Sequence, residues 1–160
     1  MNAPDKTQIV TFRLGEDLFA ADIFSVERVL RYREPTSVPN SPPWLEGVTE
    51  YQSRVVPVVN MRARFGLPVI PAVSETRMLV LSTDGTWVAA VVDAVLDVST
   101  LDPSKLAPPP PIFRGLAGEY LQGIVRRDDR LVILLDVARI LTADEKMTLL
   151  RATEHEGADA

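Results

Sequence analysis

The chain has no cysteine, a single histidine and few aromatic residues, and each shortage closes off a class of function. Without cysteine there is no disulfide framework and no thiolate metal site. The one histidine, His155, lies beside Glu154 and Glu156 near the end of the chain. That removes imidazole acid–base catalysis, triads and histidine-ligated metal from the body of the protein. Aromatic residues make up 6% and the net charge is −5, so neither a base-stacking platform nor broad attraction to nucleic acid is expected. No window approaches the roughly 18 apolar residues of a membrane helix. Residues 1–6 lack the apolar core of a secretory leader, so no membrane insertion and a cytoplasmic location are expected. Phosphate-binding glycine loops and Gly-x-Ser-x-Gly elbows are also missing. The chain reads as a non-enzyme with no cofactor and no metal.

What is present is short strands. Val10, Phe12 and Leu14 share one face at strand period over residues 8–14; Gly15-Glu16-Asp17 turns the chain, and residues 18–23 return as the second arm of a hairpin. Ile23, Val26, Val29 and Leu30 then follow a spacing closer to helical or bent. Pro35, Pro39, Pro42 and Pro43 mark an irregular crossing. Strands are expected over 48–51 and 55–59 around a polar turn at Gln52-Ser53, followed by a short helix capped by Asn60 and stopped at Gly66. A second hairpin joins 78–81 to 87–92 through Thr83-Asp84-Gly85. Residues 104–118, with four prolines at 108–111, form a long loop; strands 121–125 and 131–135 flank a turn at Asp128-Asp129. Thr142 and Glu145 make the capping box of a C-terminal helix.

The chain repeats itself. Gly47-Val48 precedes Gly123-Ile124 by 76 positions (123 − 47), and Arg54 precedes Arg130 by the same interval (130 − 54). Phe19-Ala20-Ala21 corresponds to Val88-Ala89-Ala90 at 69 positions (88 − 19), the difference falling in the proline-rich loop. Two strand-rich units, each near the lower size limit for independent folding, should therefore pack closely. Trp44, Trp87 and Tyr120 read as plugs of that packing. Asp136 and Asn60 read as matching strand-end caps. The carboxylates Asp97 and Asp102 have nothing to fix them in a cleft.

Several segments in order resemble CheW-like domains, the family of chemotaxis coupling proteins. They are Phe12-Arg13-Leu14-Gly15 to Phe19-Ala20-Ala21-Asp22-Ile23, then Val26, Val29-Leu30, Val38-Pro39, and Pro43-Trp44-Leu45-Glu46-Gly47-Val48. Val55-Val56-Pro57-Val58-Val59 and Arg64-Phe65-Gly66-Leu67 follow. The second half adds Val91-Val92-Asp93-Ala94-Val95, Tyr120-Leu121-Gln122-Gly123-Ile124 and Leu131-Val132-Ile133-Leu134-Leu135-Asp136. The resemblance implies an all-β fold of two packed five-stranded SH3-like barrels with a short C-terminal helix. It divides the chain into a flexible start (1–7), a CheW-like domain (8–150) and a flexible tail (151–160). Within the domain, intertwined subdomains at roughly 15–75 and 76–140 would exchange terminal segments.

It also implies partners: the regulatory domain of a CheA-type histidine kinase and the cytoplasmic tip of a methyl-accepting chemoreceptor. Carried over by motif position, receptor binding involves Val26, Val29, Gly47 and Val98, and kinase binding Val95 and Gly123. Core packing is the competing reading for the valines, and strand-end geometry for the glycines. Two positions depart from the family pattern. A customary arginine is Gln52 and a customary glutamate is Arg28, which is instead expected to pair with Glu50; receptor choice should differ accordingly. Alternatives are a CheW-like scaffold of a non-chemotaxis pathway, such as pili or surface attachment, and a ligand-sensing module with a small molecule between the barrels.

Overall fold

The computed structural model describes residues 7–83, 85–108, 121–141 and 145. The first half supplies β1 (Thr7–Leu14), β2 (Asp17–Asp22), β3 (Val26–Arg31), β4 (Leu45–Tyr51) and β5 (Arg54–Asn60). The second supplies β6 (Arg77–Thr83), β7 (Thr86–Val92), β8 (Ala94–Leu101), β9 (Leu121–Arg127) and β10 (Arg130–Leu135). A single helical turn, α1 (Met61–Arg64), follows β5, with Asn60 accepting from the Ala63 amide as the expected cap. The strands build two five-stranded sheets, ordered β8-β1-β2-β10-β9 and β3-β6-β7-β5-β4. The expected all-β class is present. The C-terminal helix, Tyr120, His155 and the prolines past 108 lie outside the described residues, apart from Glu145, which is helical.

The two sheets are copies in register. Val29 faces Leu79 in one as Val98 faces Val10 in the other, and Val58 faces Ala89 as Leu134 faces Ala20. The offsets are the 69 and 76 read from the sequence. Each sheet takes its hairpin from one half of the chain and its other three strands from the other half, so the halves exchange hairpins. After each of the edge strands β3 and β8 the chain crosses to the opposite edge of its own sheet. There Thr36 bridges Val48 and Ala107 bridges Ile124, each through a pair of backbone hydrogen bonds.

One region departs from the expected pattern. The segment from Ile23 to Leu30 is neither helical nor bent throughout, but a 3-10 turn (Ile23–Ser25) followed by β3. A bulge between Val26 and Arg28 uses up one residue, so Val26 and Val29, three apart, point to the same face. The same bulge recurs between Val95 and Asp97 in β8, a strand that periodicity alone did not reveal.

Three hydrophobic clusters follow from the alternation. Ile9, Leu18, Ala20, Val132 and Leu134 fill the inner face of one sheet; Val56, Val58, Met78, Val80 and Ala89 fill that of the other. Val10, Phe12, Leu14, Leu79, Leu81 and Val92 form a third cluster between the sheets. Strands such as β1 and β6 are thus buried on both faces, which is why they read as nearly continuous apolar runs. Trp87 packs at the inner cluster of its sheet, 5.3 Å from Tyr51, with the Arg54 guanidinium 3.9 Å over its ring.

Candidate docking surfaces

Both sheets end in a strand with one open side, β3 in one and β8 in the other, and these positions carry most of the residues singled out above. The repeat pairs them: Val26 matches Val95 (26 + 69), Val29 matches Val98 (29 + 69), and Gly47 matches Gly123 (47 + 76). Two of these pairs join a residue expected to meet the receptor with one expected to meet the kinase, while Val29 and Val98 are both receptor candidates.

Within each pair the physical environment differs by position. Val26 and Val95 are half-buried against the shared core. Val29 and Val98 stand on the same side of their strands but reach solvent, at 40% and 53% exposure. An unpaired strand edge bearing apolar side chains is a ready docking surface. Phe24, in the 3-10 turn leading into β3, is a further exposed apolar side chain, 90% open to solvent. Sequence reasoning missed it. The available signal was a phenylalanine flanked by Ile23 and Ser25 where alternation had already broken.

The two glycines are buried rather than open. At Gly123 a side chain would meet Leu106 and the Ala107 carbonyl at 2.7–2.8 Å. At Gly47, with φ +148°, it would meet Thr36. In both cases the close neighbour is the chain's own crossing segment.

Arg28 and Gln52 are exposed. Gln52 and Ser53 both have positive φ (48° and 63°), forming the tight two-residue turn between β4 and β5. Among the described ion pairs none joins Arg28 to Glu50; the Glu50 carbonyl instead accepts from Arg33. The other half does hold an ion pair at this place. Asp97, the repeat equivalent of Arg28 (28 + 69), takes two hydrogen bonds from Arg127, at 2.9 and 3.1 Å. Asp102 forms no cleft with Asp97 but caps a 3-10 turn by accepting from the Ser104 amide.

The relative orientation of the sheets is held by a charged clamp. Asp93, 8% exposed in its side chain, accepts from Arg62 Nε at 2.8 Å and from the Gly15 amide at 2.8 Å, while its own amide donates to the Arg13 carbonyl. Arg62 follows β5 in one sheet; Arg13 and Gly15 belong to the hairpin of the other. The Arg62 guanidinium holds the Asp93 carboxyl below its ordinary range against the opposing effect of burial. A second fastening joins α1 to the end of the chain: buried Arg64 donates to the Ile140 carbonyl at 2.9 Å and to both oxygens of Glu145. Among the described residues no group of three metal-ligating side chains converges, and no helix is long and apolar enough to cross a membrane.

Comparison with known proteins agrees with this fold. The model of the CheW-like domain matches residues 8–145. The chemotaxis protein CheW of Klebsiella aerogenes is 30% identical over 138 residues, 86% of this chain and 83% of that protein. The chemotaxis protein CheW of Treponema pallidum is 26% identical over 149 residues, covering 91% and 88%. The crystal structure of the scaffolding protein TtCheW from Thermoanaerobacter tengcongensis superposes with a TM-score of 0.80 at 27% identity, over 90% of this chain and 93% of that one.

Proposed function

Because the chain belongs to the CheW-like domain family, we propose that it is a non-catalytic cytoplasmic adaptor of chemotaxis signalling. In this role it holds the regulatory domain of a CheA-type histidine kinase and the cytoplasmic tip of a methyl-accepting chemoreceptor at a fixed angle. The observation that carries the reading is the doubled edge: Val29 on β3 and Val98 on β8 are equivalent, exposed and apolar, on sheets locked together by Asp93 and Arg62. A rigid body with two like edges can grip two other proteins, the receptor reaching both outer valines and the kinase the Val95 end of β8, and pass on changes in their relative orientation. Receptor contact is assigned to Val26, Arg28, Val29, Gly47, Gln52 and Val98, and kinase contact to Val95 and Gly123. The buried glycines act by letting the chain cross beneath those surfaces. Each contact can be weak, because arrays raise occupancy through effective concentration.

Affinity capture from the native cell, with the recovered proteins identified by mass, tests this. A CheA-type kinase and a chemoreceptor are the expected catch. Recovery of neither, by a folded bait, sinks the reading.

One observation favours the second reading, a scaffold of a non-chemotaxis pathway with a different receptor. Arg28 has no ion-pair partner among the described residues, where its counterpart Asp97 has Arg127. A receptor-like protein from a pilus or surface-attachment system in the same capture would support it over the first.

A further inference from the structure

Two copies of one sheet act as controls for each other: a polar feature that the strand register demands should occur in both. The strand-end caps do, since Asn60 and Asp136 each accept a backbone N–H. The arrangement around Glu46 does not. Tyr32 Oη donates to Glu46 Oε1 at 2.6 Å and Asn60 Nδ2 donates to Oε2 at 2.7 Å. The equivalent residues of the other half are Leu101 (32 + 69), Gln122 (46 + 76) and Asp136 (60 + 76). Neither a phenol nor a carboxylate occurs there at the first two places, yet the sheet forms in the same register. The strand register therefore does not depend on this hydrogen-bonded group.

Glu46 is half-buried, held by two neutral donors, and joins no ion pair among the described residues. Burial, then the hydrogen bond to Glu46, pushes the Tyr32 phenol well above its ordinary value, so it stays a proton donor to the carboxylate. Asp93 nearby differs in having Arg62 as its cation, and Arg62 in turn also donates to the Pro68 carbonyl.

These groups line a cavity of about 220 Å³, walled on its apolar side by Pro43, Val69 and Ile70. It is smaller than the roughly 300–1,000 Å³ of pockets for drug-sized ligands. Glu46 and Asp93 against Arg62 leave the wall with one net negative charge. An anion would face repulsion there, and a neutral molecule would leave Glu46 without a countercharge. A compact cation with a short alkyl body satisfies both sides, its charge on Glu46 beside the Tyr32 ring and its carbons on Val69 and Ile70.

We infer that this cavity is a binding site for a small organic cation of the alkylammonium or alkylguanidinium class, recognised by Glu46. Such binding stands independently of kinase and receptor docking, since the cavity contains none of the residues assigned to either.

The test is a titration of the full chain with n-butylammonium, followed by backbone amide NMR, with n-butanol and butyrate as matched controls. Saturable shifts around Tyr32, Glu46, Asn60 and Ile70 are expected for the amine alone. Glu46→Gln should weaken binding at least tenfold, whereas Glu50→Gln, an exposed carboxylate on the same strand, should leave it unchanged. Binding that survives Glu46→Gln, equal binding of butyrate, or no binding to the unaltered protein overturns the assignment. If Glu46→Gln does not fold, Ile70→Lys places a tethered ammonium at the wall and should abolish the titration. An unaltered titration in that variant is equally fatal.

Discussion

A β-carbon added to Gly47 would lie 2.1 Å from the carbonyl oxygen of Thr36, closer than any real contact. The obstruction is backbone, tied into its own bridge to Val48, so it cannot swing aside. Gly47→Ala should lose about 3 kcal/mol or more, since it combines strain at positive φ with a broken bridge. Gly123→Ala, which would meet Leu106 and the Ala107 carbonyl at 2.7–2.8 Å without positive-φ strain, should lose less, about 1–3 kcal/mol. Denaturant melts of both variants check the order. Loss of partner binding in Gly47→Ala counts as a contact effect only if the protein remains folded.

The outer valines separate binding from folding. Val29→Glu and Val98→Glu should change stability by no more than about 0.5 kcal/mol, because both side chains already reach solvent. Partner affinity should fall by tenfold or more. Val26→Ala and Val95→Ala, against the shared core, should cost about 1–2 kcal/mol instead. Equal binding by the Glu variants and the native protein, measured by calorimetry, would remove β3 and β8 as docking edges.

Asp93→Asn should destabilise by about 2–4 kcal/mol, as it leaves Arg62 half-paired beneath the hairpin. The pH dependence has a definite sign. The folded carboxyl titrates below its unfolded value, so its contribution is complete above about pH 4 and is lost as pH falls through the lowered folded value. The stability gap between native protein and Asp93→Asn should therefore be flat near neutrality and close in acid. A gap that widens in acid would contradict the clamp.

Arg64→Met removes the donor that holds the Ile140 carbonyl and Glu145 while keeping the length of the side chain. It should lower stability by about 2–3 kcal/mol and speed proteolysis at the C-terminal end, read by mass of the first fragments.

Gln52→Arg with Arg28→Glu restores the charge pattern usual in the family. The double variant should shift which receptor is captured without altering the melt, as exposed pairs contribute only about 0–1 kcal/mol. The same receptors recovered in the same proportions would show that these two sites do not choose the partner.

Much of the fold was legible because burial on both faces leaves a coarse mark. Runs such as Val55-Val56-Pro57-Val58-Val59 and Met78-Leu79-Val80-Leu81 need no fine periodicity to be recognised as strands. The bulged strands β3 and β8 were not legible, because one extra residue turns a two-residue period into the three-residue interval between Val26 and Val29. Only the recurrence of that interval at Val95 and Val98 could have given it away. The two offsets, 69 and 76, reveal a duplication but not the exchange of hairpins, because strand partners across the chain carry no local signature; an exchange of terminal segments is expected only from the family resemblance. The Tyr32–Glu46–Asn60 group was invisible for the same reason: its members lie 14 residues apart in each step.

The exchange of hairpins has a consequence for how such a molecule can be divided. Residues 7–75 contain a hairpin for one sheet and three strands for the other, and residues 76–141 contain the complement. A cut in the connector between them should release no autonomous piece, and the two fragments, expressed apart, should reconstitute only when mixed. A chain of half this length could complete neither sheet except by interlocking with a second copy of itself. Joining the halves end to end turns that encounter into a fixed property of every molecule, independent of how much protein the cell makes.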